Sequence, residues 1–239
     1  MIERKDGVKS PVSQKNNESQ YIIPPNAENQ RLTRVVQGKD HSGILQEIRV
    51  VEERPLTIFL NAQEIVTAMT IGDFPEFLAL GFLSNQGMLH VDDDVTGINY
   101  DEELETVVVR TSRQTNYEEK LRKKTRTSGC AVGTVFGDMM EGLEDLKLAP
   151  FEVKTSWLYE LASKINQTPS LYLSAGAIHG TVLCQQNQPL VYMEDVGRHN
   201  AVDKIAGWML SDAVSPDDKI LYTTGRLTSE MVIKTANMG

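Results

Sequence analysis

The stretch KTRTSGCAVGTVFG, residues 124–137, sets one cysteine, Cys130, in a loop of small residues just after a run of bases. From Arg110 to the cysteine the chain carries Arg110, Arg113, Lys120, Arg122, Lys123, Lys124 and Arg126, opposed only by Glu118 and Glu119. A free thiol ionises near pH ~8.5, and neighbouring cations lower that value. Cys130 therefore has the setting of a nucleophilic thiolate, able to attack a sulfur and carry it as a persulfide. The same bases are suited to holding phosphates; the plainer reading of such a run is a solvated charged turn. Gly133 stands where a CxxC pair would have its second cysteine, so a disulfide cycle would lack its resolving thiol. The other cysteine, Cys184, lies between apolar neighbours in TVLCQ and reads as a buried, inert thiol.

A second chemistry is repeated. Twice the chain runs from a strand through an acidic or hydroxyl residue into Gly-Arg and then a helix, at Glu194-Asp195-Val196-Gly197-Arg198-His199-Asn200 and at Thr223-Thr224-Gly225-Arg226. Glycine permits a sharp turn and close approach of a ligand. The following helix start offers unpaired N–H groups and a positive dipole end, and arginine adds a fork of donors for phosphate or carboxylate. Asp195, Gly197, Arg198, His199, Gly225 and Arg226 are thus candidate ligand-binding residues, with His179 a possible neighbour. The alternative is that Arg198 and Arg226 brace their loops against Asp195, Asp203 or Glu230.

The elements that must position these residues are legible as patterns. Residues 1–40, rich in Asn, Gln, Ser and Lys, show no period and are expected to be a disordered leader. Segments ILQEIRVVEE, LTIFLN and EIVTAMTI predict short strands. FPEFLALGFLSNQGML predicts a buried helix, with Asp73 capping ahead of Pro75. GINYDEELETVVVRTS predicts a hairpin, YEEKLRKKTR a charged helix or turn, TVFGDMMEGLEDL a helix, and SWLYELASKINQ an amphipathic helix burying Trp157, Leu158, Leu161 and Ile165. Beyond these, LYLSAGAIHGTVLCQ and PLVYMED are expected strands joined at QNQP. The helix NAVDKIAGWML follows, capped by Asn200, with Val202, Ile205, Ala206 and Met209 facing the core and a polar opposite side. The strand KILYTT and the helix LTSEMVIKTANM end the chain. This alternation predicts an α/β layer with partly parallel pairing, residues 129–239, behind a smaller β-rich subdomain, residues 41–128.

Composition sets outer limits. The chain's 239 residues include 24 bases and 33 acids, a net charge of −9, which disfavours non-specific nucleic-acid binding. No apolar run reaches the ~20 residues of a membrane span, and the first residues lack a secretory signal pattern, so a cytoplasmic setting is expected. The four histidines, His41, His90, His179 and His199, have no paired ligand spacing.

EDVGRHNAVDK resembles the signature of the formate dehydrogenase accessory sulfurtransferase family (FdhD/NarQ). FPEFLALGFLSNQGML, TTGRLTSEMVIKTANMG, TSGCAVG and SAGAIHG are similar to further segments of that family, from about Ile44 to the last residue. The resemblance implies a mixed-sheet α/β protein with a cytidine-deaminase-like core, forming a homodimer. It implies that Cys130 accepts sulfur from a cysteine desulfurase as a persulfide. The sulfur then passes to the molybdenum of a bis-molybdopterin guanine dinucleotide cofactor destined for formate dehydrogenase, with the Gly-Arg cleft holding the guanine dinucleotide. Two departures accompany it: Gly133 replaces the family's second loop cysteine, and the family pattern continues past Gly239 through another strand, helix and strand, so a short core is expected. They motivate a second reading, a cofactor-binding chaperone that no longer moves sulfur. A nucleotide-modifying enzyme on the same fold is disfavoured, because no HxE…PCxxC zinc-ligand pattern is present.

Overall fold

The computed structural model describes residues 21–89, 92–113, 124–126, 134–136, 148 and 150–239. Its first sheet has the order β4-β3-β6-β5, with β3 Arg54–Leu60, β4 Gln63–Thr70, β5 Val95–Asp101 and β6 Thr106–Thr111. Strand β3 pairs antiparallel with β4 and parallel with β6, and β5 pairs antiparallel with β6. Alternate residues of β3, Leu56, Ile58 and Leu60, point into the core with Val107 and Val109, the period-2 pattern of a sheet with one buried face.

Helix α1, Pro75–Asn85, covers that face. Eight of its eleven residues are buried and the other three are partly buried, so it has no open solvent side and is enclosed by packing on both flanks. The expected Asp73 cap is absent. Phe74 starts the helix in the left-handed region at φ 48° without a side-chain cap, because the Asp73 carboxylate is engaged by Lys204.

The second sheet has the order β10-β9-β11 among the described residues, with β9 His179–Gln185, β10 Gln188–Asp195 and β11 Lys219–Thr223. Both neighbours of β9 run antiparallel to it. The partly parallel pairing expected for this layer is therefore not what its described strands form; the parallel pair, β3 with β6, lies in the first sheet. Since β10 and β11 share a direction, their carboxyl ends emerge at one edge, carrying both Gly-Arg junctions there. Helix α4, Arg198–Ser211, packs on one face of this sheet through Ile205, Trp208 and Met209. Helix α2, Thr155–Gln167, packs on the other through Leu161 and Ile165; Leu158, expected inside, is half exposed. The short helix α3, Leu171–Ser174, precedes β9, and α5, Ser229–Asn237, follows β11.

The expected leader is partly structured. Ile22 N–H donates to Leu190 O at 2.8 Å and Tyr192 N–H to Ile23 O at 2.9 Å, so residues 21–23 line the β10 edge. Strand β1, Thr33–Lys39, pairs along its whole length with β2, Leu45–Val51. Composition hid this, because a ribbon with two mostly exposed faces needs few apolar positions. Residues 124–126 (β7) and 134–136 (β8) pair antiparallel, so Thr134–Phe136 is a strand where a helix was expected, as its β-branched and aromatic residues favour. The segment between them, with Cys130 and Gly133, and the expected charged turn YEEKLRK lie outside the described residues.

The two sheets are joined by the crossing of α1 and α4. A Cβ on Gly81 would sit 1.7 Å from Asp203 O, and one on Gly207 would sit 1.9 Å from Phe77 O. The backbones touch, so any side chain at either position forces the helices apart. Gly81→Ala or Gly207→Ala is expected to lower the unfolding free energy by about 3 kcal/mol or more, measured by urea denaturation.

Candidate functional site

Helix α4 starts three residues earlier than its pattern predicts, with Gly197 as N-cap and Arg198 and His199 in its first turn. Asn200 does not cap. Its side-chain amide donates to Asp195 Oδ1 at 2.9 Å and to Met69 O at 2.8 Å, tying the turn to the end of β4. Asp195 Oδ1 also accepts from Gly197 N–H at 3.0 Å, Oδ2 accepts from the Thr70 hydroxyl, and Lys204 Nζ lies 2.6 Å from Oδ2. The carboxylate is fully buried, and its oxygens serve to shape the loop from within.

The expected polar side of α4 is also buried, its charges paired internally. Lys204 Nζ reaches Asp73 Oδ1 at 2.5 Å and donates to Glu194 O at 3.0 Å. Asp203 is held by Lys234 Nζ at 2.6 Å and accepts from Asn85 Nδ2 at 2.7 Å. Burial lowers the Lys204 pKa, but Asp195 and then Asp73 outweigh it and raise the ammonium above its usual range. Burial pushes the Asp73 and Asp203 carboxyls up against the pull of their lysines. Glu194, buried beside Asp195, accepts from Leu171 N–H at 2.9 Å and Tyr172 N–H at 2.8 Å, fixing α3 to the same strand end. Sequence spacing gave no sign of these pairs, since each spans distant elements.

The second junction clips onto the first. Thr224 N–H donates to Gly180 O at 2.9 Å, Gly180 N–H donates to Thr224 Oγ1 at 3.0 Å, and Gly225 N–H donates to Thr223 Oγ1 at 3.0 Å. A Cβ on Gly225 would lie 2.9 Å from Arg198 Cβ, so the two Gly-Arg turns are in contact. His179 opens β9 directly across from Asp195. The structure thus brings Gly197, Arg198, His199, Gly225 and Arg226 to one edge, with His179 beside them and Asp195 underneath.

Arg198 is 6% exposed and has no hydrogen bond or ion pair among the described residues, while Arg226 is exposed. The carboxylates that might have braced Arg198, Asp195 and Asp203, are taken by lysines. His199 Nε2 lies 3.2 Å from Glu230 Oε2 without hydrogen-bond alignment. Burial first, then Lys234 and Arg198, push its pKa down to about 3, so the imidazole is neutral. His179 is also held below its ordinary value by burial, Arg198 and Arg226. A buried guanidinium in the first turn of a helix, without a counter-ion among the described residues and beside neutral imidazoles, is suited to an anion. Beside it, an apolar groove of about 560 Å³ runs along β11 and α5, lined by Leu221, Leu227, Met231 and Val232 among others. Among the described residues no three or more His, Cys, Asp or Glu side chains are grouped to hold a metal ion, and no helix is long and apolar enough to cross a membrane.

Known proteins are similar to this chain in structure and in sequence. The crystal structure of a putative formate dehydrogenase accessory protein from Desulfotalea psychrophila is similar at a TM-score of 0.64 and 25% identity, over 87% of this chain and 79% of that one. The sulfur carrier protein FdhD of Listeria monocytogenes is 30% identical, over 83% of this chain and 78% of its own length. That of Bacillus subtilis is 31% identical, over 81% and 74%. The sequence model of the FdhD/NarQ family matches residues 51–239. The chain belongs to the FdhD/NarQ family.

Two outcomes follow from the buried charges. Lys204→Met strips the cation from Asp73 and Asp195 and is expected to cost about 3–5 kcal/mol in urea denaturation. Lys219→Met, which breaks the partly exposed pair with Asp218, costs less than about 1 kcal/mol. His199 has its folded pKa lowered from 6.5 to about 3, so below pH 6.5 the unfolded chain binds a proton that the folded chain refuses. Stability is therefore lost as pH falls from 6.5 toward 3. Denaturation across that range should be less pH-dependent in His199→Asn than in the wild type.

Proposed function

We propose that this protein is a sulfur carrier in formate dehydrogenase maturation, with Cys130 as the acceptor and the Gly-Arg edge as the cradle for its cargo. The observation that carries this reading is Arg198, buried in the first turn of α4 against Gly225 and without a counter-ion among the described residues, in a chain of the FdhD/NarQ family. The Cys130 thiolate attacks the outer sulfur of a persulfide on a cysteine desulfurase. A new S–S bond forms on Cys130, the donor's S–S bond breaks, and the donor cysteine leaves as a thiolate. The terminal sulfur is then handed to the molybdenum of the bis-molybdopterin guanine dinucleotide, the cargo: the S–S bond on Cys130 breaks, Cys130 leaves as a thiolate, and the two electrons that bring the sulfur to the sulfide level come from the reduced metal. Arg198, Arg226 and the first-turn N–H groups of α4 fit that cargo's phosphates, as donors with no competing partner among the described residues. His199 and His179, neutral, add no charge of their own.

In the same reading the second layer is a cytidine-deaminase-like core, the protein works in the cytoplasm as a homodimer, and formate dehydrogenase receives the loaded cofactor. A single cysteine is enough to carry sulfur, although Gly133 leaves no partner to release it as a disulfide. Cys184 is no rival acceptor: burial pushes its thiol up to about 12, so its thiolate is scarce at neutral pH.

The test is incubation with a cysteine desulfurase and free cysteine, read by intact mass. One added sulfur is expected on the wild type and on Cys184→Ala, and none on Cys130→Ala. An unmodified wild type would exclude the carrier role. Binding of a guanine nucleotide that survives in that case, and is lost in Arg198→Ala, would leave a cofactor-binding chaperone.

A further inference from the structure

The ribbon of β1 and β2 has a stiff tip and an anchored root. At the tip, Asp40 Oδ1 accepts from Ser42 N–H at 2.8 Å and from Ile44 N–H at 3.0 Å, and Oδ2 accepts from the Gln46 side-chain amide at 2.8 Å. Gly43 completes the turn in the left-handed region at φ 80°. At the root, Val51 packs against the cluster of Leu32, Ile71, Leu171 and Ile178, and Glu52 N–H donates to Leu32 O at 2.9 Å. Between the two the ribbon is open to water: residues 41–49 are all exposed, and the aliphatic Val35, Ile44, Leu45 and Ile48 are half or more exposed. A two-stranded ribbon is marginal by itself, and an open edge strand bearing aliphatic side chains is a surface for pairing. The family model begins at residue 51, so nearly all of the ribbon lies outside the part of the chain that it matches.

The outer edge of β2, which pairs with no strand among the described residues, is complementary to itself. The strand reads Leu45-Gln46-Glu47-Ile48-Arg49-Val50-Val51, with Ile48 at its centre and opposite charges on either side. Antiparallel pairing of two copies about Ile48 sets that residue against its own copy, Glu47 against Arg49, Arg49 against Glu47, and Leu45 against Val51. Residues opposite each other share a face of the sheet, so each of these pairs is in contact. Within its own ribbon neither charge is answered, since Glu47 faces Gln37 and Arg49 faces Val35. The edge of β1 offers no such match: the same operation about Val36 sets Arg34 against Gly38 and Thr33 against Lys39.

We infer that the outer edge of β2 is the docking surface for a second copy of this chain, the two ribbons joining through β2 into one four-stranded antiparallel sheet. The inference gives a surface to the homodimer of the reading above and rests on that part of it alone; the sulfur-carrier role does not enter. Main-chain hydrogen bonds and the covering of Leu45 and Ile48 supply the affinity. The two Glu47–Arg49 pairs lie in water and add little to it, but they fix the register and exclude a slipped pairing that would bring like charges together. A ribbon too small to be stable by itself thereby becomes half of a sheet of ordinary size.

The test is the oligomeric state of the full chain by sedimentation velocity over a range of concentrations, for wild type, Glu47→Arg, Arg49→Glu and an equimolar mixture of the two variants. Wild type is expected to dimerise. Each variant alone sets like charges against each other at two places, and its dimer should weaken at least about tenfold. In the mixture a Glu47→Arg chain meets an Arg49→Glu chain with opposite charges at both places, so a mixed dimer of wild-type affinity should form. Circular dichroism establishes that both variants are folded. A dimer that neither substitution weakens, or weakened variants that mixing does not restore, overturns the β2 edge as the docking surface and leaves the homodimer standing. A wild type that stays monomeric at every concentration overturns the homodimer as well. The desulfurase assay reads the sulfur-carrier role separately, so neither result bears on it.

Discussion

The contact on which the rest depends is the crossing of α1 and α4 at Gly81 and Gly207. Helices separated by ordinary side chains lie about 8–10 Å apart, whereas these two approach until backbone meets backbone. At that distance the side chains flanking the crossing have nowhere to go except into the elements on either side. Asp203 is pressed against Asn85, and Lys204 against the turn that carries Asp73. Charged residues in so tight a space are tolerable only in pairs. The glycine contact and the two buried lysine–carboxylate groups are thus one arrangement.

That arrangement also explains the loop that carries the first Gly-Arg pair. Lys204 holds the Glu194 carbonyl and the Asp195 carboxylate from below; Asp195 in turn holds Gly197 and Asn200. The loop is shaped from inside by groups that never meet a ligand. Arg198 and His199 are consequently left in the first turn of α4, with Arg198 Nε and His199 Nε2 lacking a hydrogen bond among the described residues. Rigid placement of unpaired donors lowers the ordering cost of binding, so the strain stored there is the counterpart of the pairing completed beneath.

Much of the fold was legible in the chain. The period-2 runs of β3 and β6, the all-apolar texture of α1 and the stripe Val202, Ile205, Ala206, Met209 are local patterns, and burial follows them. Both Gly-Arg turns were visible for the same reason, since glycine and arginine before a helix have a local chemical meaning. The errors came where a neighbour overrode the pattern. Asn200 and Asp73 are good caps by type, yet each spends its side chain across the structure. Residues 33–39 are polar, and form a strand because a partner strand completes their backbone hydrogen bonds. The core sheet is antiparallel because β9 lies between two strands that merely share a direction.

The sequence by itself determined the element types, the family signature, the cysteine in its basic setting and the two anion-suited turns, because these depend on residues within a turn or two of one another. Only the tertiary structure decided that the turns touch, that Asp195 faces inward while Arg198 has no partner among the described residues, and that Glu230 lies against His199. Those outcomes rest on contacts between residues far apart in the chain, such as Asp195 with Thr70 and Arg198 with Gly225. Which carboxylate meets which cation is settled by the packing of α1, α4 and α5 around the second sheet, and no spacing along the chain encodes it.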